Sequence, residues 1–347
     1  SLEFNSSNLG VNSSTLQSSA STIFNNVNIL RHGRVLRINL KNNKQNYERW
    51  DYPLRNLPKI NPGYKENVND FYSLLYNSTK IRLNSDVKVG TSLSGGLDSS
   101  AIFCLLNSIE KNDLTKNFNL DLNPIIANYE GMKTKDFAID LAKKYNKEFN
   151  ILEFKNKEIT DVQELLTSIE TTEEFFIQKS LYSLQNKKGI KVSIDGHGAD
   201  EFLWYPGWLL QSSVEILNSI SDSYKTILKF GNTNSINQFK KIFSLGEIVP
   251  KKISFLAKLD EENYFGNYVE ENKFKNSFQY INEDLDDLGN FSYDLNYTYF
   301  MSYCGWFQFF LNKWDRASMS NSIEIRMPFL DKEVRLFNLS IPQKREK

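Results

Sequence analysis

The stretch VKVGTSLSGGLDSS, from Val87 to Ser100, runs directly into the apolar segment AIFCLL, from Ala101 to Leu106. This order is typical of an apolar strand, a glycine turn and a helix. Two glycines in the turn let backbone N–H groups approach a phosphate, and the N-terminus of the next helix adds unsatisfied donors and the positive end of its dipole. The stretch therefore predicts an anion site at the end of a strand, against the alternative of a serine-rich helix cap.

The side chains of this loop extend the interpretation. Ser94, Ser99 and Ser100 supply hydroxyl donors. Asp98 cannot bind a phosphate directly, because both groups carry negative charge. Its position beside the glycines favours a metal ion that bridges the carboxylate and the phosphate.

The composition bounds the kind of protein. With 347 residues, the chain has room for one large or two ordinary domains. Lysine plus arginine equals aspartate plus glutamate at 42 each, so the charge balance gives no reason to expect a nucleic-acid partner. No segment approaches the roughly 20 uncharged apolar residues of a membrane span, and residues 1–14 lack the pattern of a signal peptide. We therefore expect a cytoplasmic protein without a membrane partner.

Hydrophobic periodicity divides the chain into three regions. Residues 1–62 begin with a polar segment, continue with two short apolar runs around the His32–Gly33 turn, and end in a proline-containing linker. Residues 63–206 alternate apolar strands with helices, which predicts an α/β domain with a parallel sheet covered on both faces. Residues 207–347 show helical periodicity without a clear strand, and we expect a helical subdomain there. The predicted strands begin at Val87 and cover 124–129, 149–154 and 190–194, and the predicted helices cover 64–82, 134–146, 162–169 and 175–184.

A second loop, DGHGADE from Asp195 to Glu201, directly follows the strand predicted at 190–194. Its two glycines again permit close approach of the backbone. Ligands of a parallel sheet bind beyond the carboxyl ends of its strands, so Ser94, Ala127 and Asp195 should lie on one edge.

Three further residues of this second loop carry chemistry. Asp200 and Glu201 are candidate ligands of the cation that Asp98 would bind, and the alternative is a helix start whose acids favour the dipole. His197 lies between two glycines and is one of only 2 histidines in the chain. It could act as a general acid or base, hold substrate, or be exposed without a role.

Together these motifs resemble the asparagine synthetase family. SGGLDSS after a strand is similar to the phosphate loop of the ATP pyrophosphatases, and DGHGADE resembles the family's G-x-G-A/S-D-E segment. WDRASMSNSIEIRMPFLD, residues 314–331, is similar to the family's D-R-x-S-M-A-x-S-x-E-x-R-x-P-F-L-D. TIFNNVNILRHGRVLRINL resembles the stretch that enters the synthetase domain. The resemblance covers residues 20–340, with 205–295 diverged.

The resemblance implies a doubly wound parallel sheet of the adenine nucleotide alpha-hydrolase type, with a C-terminal helical subdomain. It implies that ATP is cleaved between its α and β phosphates, that a carboxylate substrate becomes an acyl-adenylate, and that a nitrogen donor then forms the amide. In glutamine-hydrolysing members this converts aspartate to asparagine. By position, the residues that would hold pyrophosphate are Ser94, Gly95, Gly96, Asp98 and Ser99. Adenine would contact the backbone of Leu93 and Ala127, with Asp195 and Gly196 nearby. Mg²⁺ would bind Asp98 and Asp200.

The third motif contains Arg316, Glu324 and Arg326. Sequence alone describes an exposed charged helix, whereas the resemblance favours a packed junction whose charges support the site. We count Arg316 among the catalytic residues on this basis, together with His197, Asp98 and Asp200. Direct contact of the motif with substrate is the alternative.

Three departures from the family pattern shape the prediction. His197 stands where asparagine synthetases commonly carry glutamate, which favours relatives that close amides within one molecule, such as β-lactam synthetases and lasso-peptide cyclases. The family's glutaminase domain is absent, so we expect residues 1–62 to be its remnant and linker, and a glutaminase domain or subunit to be a partner. The chain stops at IPQKREK, before the family's K-x-x-L-R helix, so we expect a truncated end.

Three functional hypotheses follow. The first is an asparagine synthase-like, AMP-forming ligase that uses ATP, Mg²⁺, a small carboxylate and a nitrogen donor, and that forms a homodimer. The second keeps the adenylation chemistry in a cyclase or amidating enzyme of a peptide or natural-product pathway. The third is a nucleotide-binding module without turnover.

Overall fold

The computed structural model describes residues 22, 24–30, 33–61, 63–112, 118–128, 134–153, 176–203 and 305–341. These residues form two compact units. The first contains the described residues up to Leu57 together with 305–309, and the second contains those of Pro58–Leu203 and Phe310–Ile341.

The first unit contains an antiparallel hairpin of β1 (Arg34–Asn39) and β2 (Lys44–Arg49). The strand β1 contains the second of the two apolar runs, and it pairs with the polar segment that follows it. Asn43 has a positive φ of 54°, and the side chain of Asn42 accepts a hydrogen bond from the Lys44 amide. Asparagine tolerates this turn geometry, whereas the exposed sequence KQNYER gives no strand signal.

A five-stranded parallel sheet forms the centre of the second unit. Its strands are β3 (Val89–Gly90), β4 (Ile125–Asn128), β5 (Asn150–Glu153), β6 (Val192–Ile194) and β7 (Glu324–Arg326). Strands β3, β6 and β7 pair in parallel, as do β4 and β5. A parallel bridge from Ser92, just beyond β3, to Ile125 of β4 joins the two sets, and Val89 of β3 makes a second parallel bridge to Leu120, which precedes β4.

The strand order, β5-β4-β3-β6-β7, reverses direction at β3. The chain first adds β4 and β5 on one side of β3, and it then returns to place β6 and β7 on the other side. In an open α/β sheet the crevice at such a reversal is where ligands bind. The fold therefore directs attention to the loops that follow β3 and β6.

Seven α-helices lie within the described ranges. Alternate residues of β6 face different helices, since Val192 and Ile194 pack in one core cluster with Ile102, while Ser193 Oγ accepts a hydrogen bond from Gln185. Helices therefore cover both faces of the sheet, and the predicted doubly wound parallel sheet is confirmed for the part of the chain that is described. The helices are α1 (Tyr64–Ile81), α2 (Leu97–Asn112), α3 (Lys135–Lys144), α4 (Phe176–Lys187), α5 (Ala199–Leu203), α6 (Gly305–Met319) and α7 (Lys332–Ser340).

The helix α2 shows why the opening stretch folds as it does. Ile102, Leu105, Leu106 and Ile109 recur at helical spacing and are all buried in the core that contains β3 and β6. The helix begins at Leu97, earlier than the apolar run at Ala101 suggested. Its first turn therefore belongs to the glycine loop itself.

The region after residue 207 differs from the prediction. We expected helices without strands, but β7 lies there and pairs with β6, with Val192 opposite Glu324. Its three residues, Glu-Ile-Arg, are too few and too charged to give a strand signal. The segment Phe310–Ile341 therefore belongs to the α/β unit. The rest of the expected helical subdomain, residues 207–304, and the helix predicted at 162–169 lie outside the described residues.

Within the described ranges, none of the helices is long and apolar enough to cross a membrane.

Candidate active site

The first loop of the site connects β3 to α2, and its two serines hold it together. The hydroxyl oxygens of Ser94 and Ser99 lie 2.8 Å apart. Ser99 Oγ accepts a hydrogen bond from the Ser94 amide at 3.2 Å, and Ser94 Oγ accepts one from the Gly96 amide at 3.2 Å. The loop is thus preformed at the N-terminus of α2, where unsatisfied helix N–H groups favour an anion.

Gly95 allows the start of α3 to pack against this loop. Gly95 has a φ of +75°, and a Cβ atom there would overlap the carbonyl oxygen of Thr134 and lie 2.9 Å from the Ala138 amide nitrogen. Thr134 Oγ1 in turn donates a hydrogen bond of 2.6 Å to the Ser94 carbonyl. No other residue type fits at position 95 without moving backbone.

The second loop connects β6 to α5 and touches the first loop through its backbone. A Cβ atom at Gly196 would lie 2.9 Å from both the carbonyl carbon of Asp98 and the amide nitrogen of Ser99. Gly198 has a φ of +93°, and a Cβ atom there would overlap the side chain of Leu330. Gly196 therefore allows the second loop to pack against the first loop, and Gly198 allows it to pack against Leu330.

Asp195 is a buried carboxylate with a donor on each oxygen. Tyr182 donates a hydrogen bond to Oδ2 at 2.6 Å, and Ser193 donates one to Oδ1 at 2.7 Å. Gln185 donates to Ser193 Oγ and also to Ser92 Oγ just beyond the end of β3. Burial raises the pKa of Tyr182 well above its ordinary value, and the charge of Asp195 adds to that effect, so the phenol stays a donor. This network fixes α4 on the sheet beneath both loops.

His197 lies between an indole and a carboxylate. Its ring stacks on Trp314, with centroids 4.1 Å apart and planes 14° from parallel. Its Nε2 is 3.8 Å from Asp195 Oδ2, which is too far for a hydrogen bond. Burial lowers the pKa of His197 below its ordinary 6.5, although Asp195 acts in the opposite direction. The imidazole is therefore neutral at neutral pH.

Asp98 and Asp200 form a pair of like charges. The pKa of Asp98 is raised to about 6, first by its burial and then by the negative charge of Asp200. Asp98 lines the cavity described below, and Asp200 is exposed on α5. The side chain of Glu201 lies outside the described part.

These two carboxylates fit a magnesium ion. A cation bound by both would remove the repulsion that raises the Asp98 pKa. Among the described residues, no group of three or more His, Cys, Asp or Glu side chains could hold a metal. Mg²⁺ in nucleotide sites needs only one or two carboxylates, since phosphate oxygens and water complete its octahedron.

The third motif packs under the second loop. The Asp195 amide donates to the Arg326 carbonyl at 2.9 Å, and Arg326 Nη1 donates to the carbonyls of Arg82 and Asn84 at 2.7 and 2.8 Å. Arg82 forms an ion pair of 3.0 Å with Asp331, which also caps the N-terminus of α7. The expected packed junction is therefore present for Arg326. Glu324 is exposed and pairs with Arg326.

A cavity of about 260 Å³ lies between the two loops. The predicted common edge of Ser94, Ala127 and Asp195 is confirmed, since all three line it. Gly95 and Asp200 lie beside the cavity but do not line it. Arg316 is exposed on α6 and does not line the cavity, so its catalytic role stays a prediction. The predicted site residues that line the cavity are Leu93, Ser94, Gly96, Asp98, Ser99, Ala127, Asp195, Gly196 and His197.

One wall of the cavity was not predicted. Ile177, Gln178, Leu181 and Tyr182 present one face of α4 to it. The helix itself was expected, and Ile177 and Leu181 have helical spacing, but periodicity does not say which cleft a helix covers. The stack of Trp314 on His197 was likewise not predicted, although Trp314 opens the third motif.

Comparison with known proteins gives a family. The model of the asparagine synthase family matches residues 70–346. Asparagine synthetase (glutamine-hydrolyzing) 1 of Bacillus subtilis strain 168 is 25% identical over 297 residues, which cover 77% of this chain and 42% of that protein. Putative asparagine synthetase (glutamine-hydrolyzing) 2 of Methanocaldococcus jannaschii is 45% identical over 62 residues, which cover 17% of this chain and 12% of that protein. The chain thus matches less than half the length of either relative.

Among solved structures, the U34-tRNA thiolase NcsA from Methanococcus maripaludis with its 4Fe–4S cluster superimposes with a TM-score of 0.29 and 15% identity. The match covers 66% of this chain and 80% of that one. The family assignment rests on the family model and not on this superposition.

Proposed function

The chain belongs to the asparagine synthase family, and from that premise we propose that it activates a carboxylate with ATP and joins it to nitrogen. The carboxylate would attack the α-phosphorus of ATP, the bond to the bridging oxygen would break, and pyrophosphate would leave. A nitrogen nucleophile would then attack the acyl carbon and release AMP. The products would be an amide, AMP and pyrophosphate.

The observation that carries this proposal is the backbone contact of the two loops at Gly196 and Asp98, with a cavity between them. Adenylation separates two anions, and the site must stabilise both at once. Ser94, Gly96 and Ser99 would hold the leaving phosphates at the N-terminus of α2. The backbone of Leu93 and Ala127 would contact adenine. These groups arrive from β3 and β4, next to the point where the strand order reverses.

Asp98 and Asp200 would hold Mg²⁺, which when bound supplies positive charge against the leaving pyrophosphate. The half-buried Asp98 supports this assignment, because its raised pKa indicates a negative charge that lacks compensation. His197 would accept the proton that the nitrogen nucleophile loses, since burial leaves its imidazole neutral at neutral pH.

The experiment measures the products of ATP. The purified chain is incubated with ATP, MgCl₂, L-aspartate and ammonium chloride, and nucleotides are separated by ion-exchange chromatography. AMP and pyrophosphate in equal amounts would support the proposal, whereas ADP and phosphate would overturn it. Asp98→Asn is the matched control, since it keeps the size of the side chain and removes the charge for Mg²⁺.

A second candidate keeps the adenylation step and changes the substrate. It is a cyclase or amidating enzyme of a peptide or natural-product pathway, and the stacked His197 favours it. A neutral imidazole can take a proton from an amine, whereas a glutamate at this position would accept hydrogen bonds from the ammonium group of a free amino acid. A screen of carboxylates by pyrophosphate release separates the two, because aspartate as the best substrate would argue against the cyclase.

The nitrogen source and the assembly are part of the proposal. The Bacillus relative is named as glutamine-hydrolyzing, and this chain matches 42% of its length. We propose a glutaminase domain or subunit as the source of ammonia, and a homodimer as the assembly. Glutaminase activity in a complex with this chain would test the source of ammonia. Sedimentation of the chain would test the homodimer.

A further inference from the structure

Trp314 is 7% exposed and stacked on His197, and none of the roles above uses it. We propose that Trp314 is the positioning residue for His197, holding the imidazole plane so that one ring nitrogen can accept a proton in the cavity. The identity of the proton donor, the nitrogen nucleophile, rests on the proposed function. The stack of Trp314 on His197 is independent of the proposed function.

The backbone around His197 does not fix its ring. His197 lies between Gly196 and Gly198, and neither neighbour has a side chain to restrict it. The indole face of Trp314 supplies that restriction, with the two planes 14° from parallel. Trp314 is itself held one helical turn after Phe310, whose ring centroid lies 5.7 Å from that of the indole. The orientation of the imidazole is therefore set by α6 and not by its own loop.

Asp195 determines which ring nitrogen is available. Nε2 of His197 faces Asp195 Oδ2 at 3.8 Å, and that oxygen already accepts the hydrogen bond of Tyr182. A carboxylate favours a hydrogen on the nitrogen that faces it. We therefore assign the hydrogen of the neutral ring to Nε2, which leaves the lone pair on Nδ1.

The proton balance of the second half-reaction is then complete. The nucleophile forms its N–C bond to the acyl carbon, the C–O bond to AMP breaks with its electron pair going to the phosphate, and an N–H proton moves to Nδ1. The imidazolium formed lies against the face of Trp314, which favours a cation, and near the charge of Asp195. The elements around this ring carry further titratable or charged groups, among them Asp98 on α2, Lys179 and Tyr182 on α4, Asp200 and Glu201 on α5, and Lys313, Asp315 and Arg316 on α6.

Tryptophan fluorescence tests the stack without any substrate. A protonated imidazole in contact with an indole quenches its emission, so the Trp314 component should fall as pH decreases through the His197 pKa. That component is the difference between the native chain and Trp314→Phe. His197→Gln should keep the emission and abolish its pH dependence. A Trp314 component that is independent of pH, or that keeps its pH dependence in His197→Gln, overturns the proposal.

Two matched variants of Trp314 test whether it positions His197 in the reaction. Trp314→Phe keeps an aromatic face, and Trp314→Leu keeps apolar volume without one. We expect ATP–pyrophosphate exchange to change by less than about 3-fold in both, while amide formation falls by about 10- to 100-fold in Trp314→Leu alone. An equal fall of both half-reactions in both variants overturns the positioning role. If Trp314→Leu does not fold, the fluorescence titrations of the native chain, Trp314→Phe and His197→Gln still decide.

Failure of the proposed function would give a different experimental result from failure of the positioning role. If the native chain forms no AMP with any carboxylate of the screen, adenylation is overturned, and the fluorescence titration still reports whether Trp314 holds His197.

Discussion

Gly196 and Asp98 meet backbone to backbone, because the space that a Cβ atom would need at position 196 is taken by the carbonyl carbon of Asp98 at 2.9 Å. This contact joins the two loops of the site, which lie far apart in the sequence. Anything that enlarges residue 196 must separate the loop between β3 and α2 from the loop that carries Asp195 and His197.

Gly196→Ala should therefore reduce both stability and nucleotide binding. We expect a loss of about 1–3 kcal/mol in the free energy of unfolding, since backbone cannot yield as a side-chain end can. The affinity for ATP with Mg²⁺ should fall by about 10-fold, which corresponds to about 1.4 kcal/mol. Urea unfolding and titration calorimetry measure the two effects.

Gly189→Ala is the matched control for Gly196→Ala. Gly189 has a φ of +77°, and a Cβ atom there would meet no other atom within 4 Å, so the substitution adds backbone strain without a collision. It should cost about 1 kcal/mol and leave ATP affinity unchanged. Equal loss of ATP affinity in both variants would contradict a specific contact between the loops.

Asp98→Asn should stabilise the ligand-free chain at neutral pH. The pKa of Asp98 is about 6 in the folded state and 3.8 for an ordinary aspartate, so the folded state disfavours the charged form. This cost is absent below pH 3.8, grows between pH 3.8 and 6, and is fully present above pH 6. Because Asp98 is only half buried, we expect a gain of about 1 kcal/mol at pH 7 after allowing for solvent screening.

Chemical unfolding in the presence of EDTA, at several pH values from about 4 to 7.5, measures this gain. It should shrink toward zero at the acid end of this range, and Mg²⁺-dependent ATP binding should weaken in the same variant. A gain that does not depend on pH would show that the charge of Asp98 is not its cause.

Tyr182→Phe should destabilise the chain by about 1–3 kcal/mol, because it removes a donor from the buried oxygen Oδ2 of Asp195. Tyr64→Phe, at a side chain that is 82% exposed, is the control and should change stability by less than about 0.5 kcal/mol. Thermal unfolding of both variants gives the comparison. Equal stability of the two would mean that Asp195 finds another donor.

Arg326→Met should cost about 2 kcal/mol, since it removes the hydrogen bonds of the guanidinium to the carbonyls of Arg82 and Asn84. Arg37→Met in the hairpin removes an ion pair with Glu48 between exposed side chains and should cost less than about 1 kcal/mol. Denaturant midpoints at matched protein concentration measure both. A larger effect at Arg37 would contradict the role of Arg326 as a junction.

The local parts of the site could be predicted from sequence, because their chemistry lies in adjacent residues. Ser94, Gly95, Gly96 and Ser99 form a turn whose shape follows from two glycines between a strand and a helix. The common edge of Ser94, Ala127 and Asp195 could also be predicted, since parallel strands have their carboxyl ends on the same edge of the sheet.

The rest depends on packing between segments that are distant in sequence. Nothing near Trp314 indicates that it covers His197, and nothing near Tyr182 indicates that it donates to Asp195. β7 was missed for a similar reason, because Glu-Ile-Arg becomes a strand only when β6 offers it an edge. The pairing of β1 with β2 does not follow from the sequence, because β2 is exposed up to its last residue and carries no alternation of apolar residues.

The parallel pairing of β6 with β3 on one side and β7 on the other has a consequence for synthesis of the chain on the ribosome. When residues 192–194 emerge, β3 is already available, but the opposite edge of β6 stays open until residues 324–326 follow. An open edge can pair with a second nascent chain, and pairings so distant in sequence form slowly. Chains released before β7 should therefore aggregate, and those released after it should not.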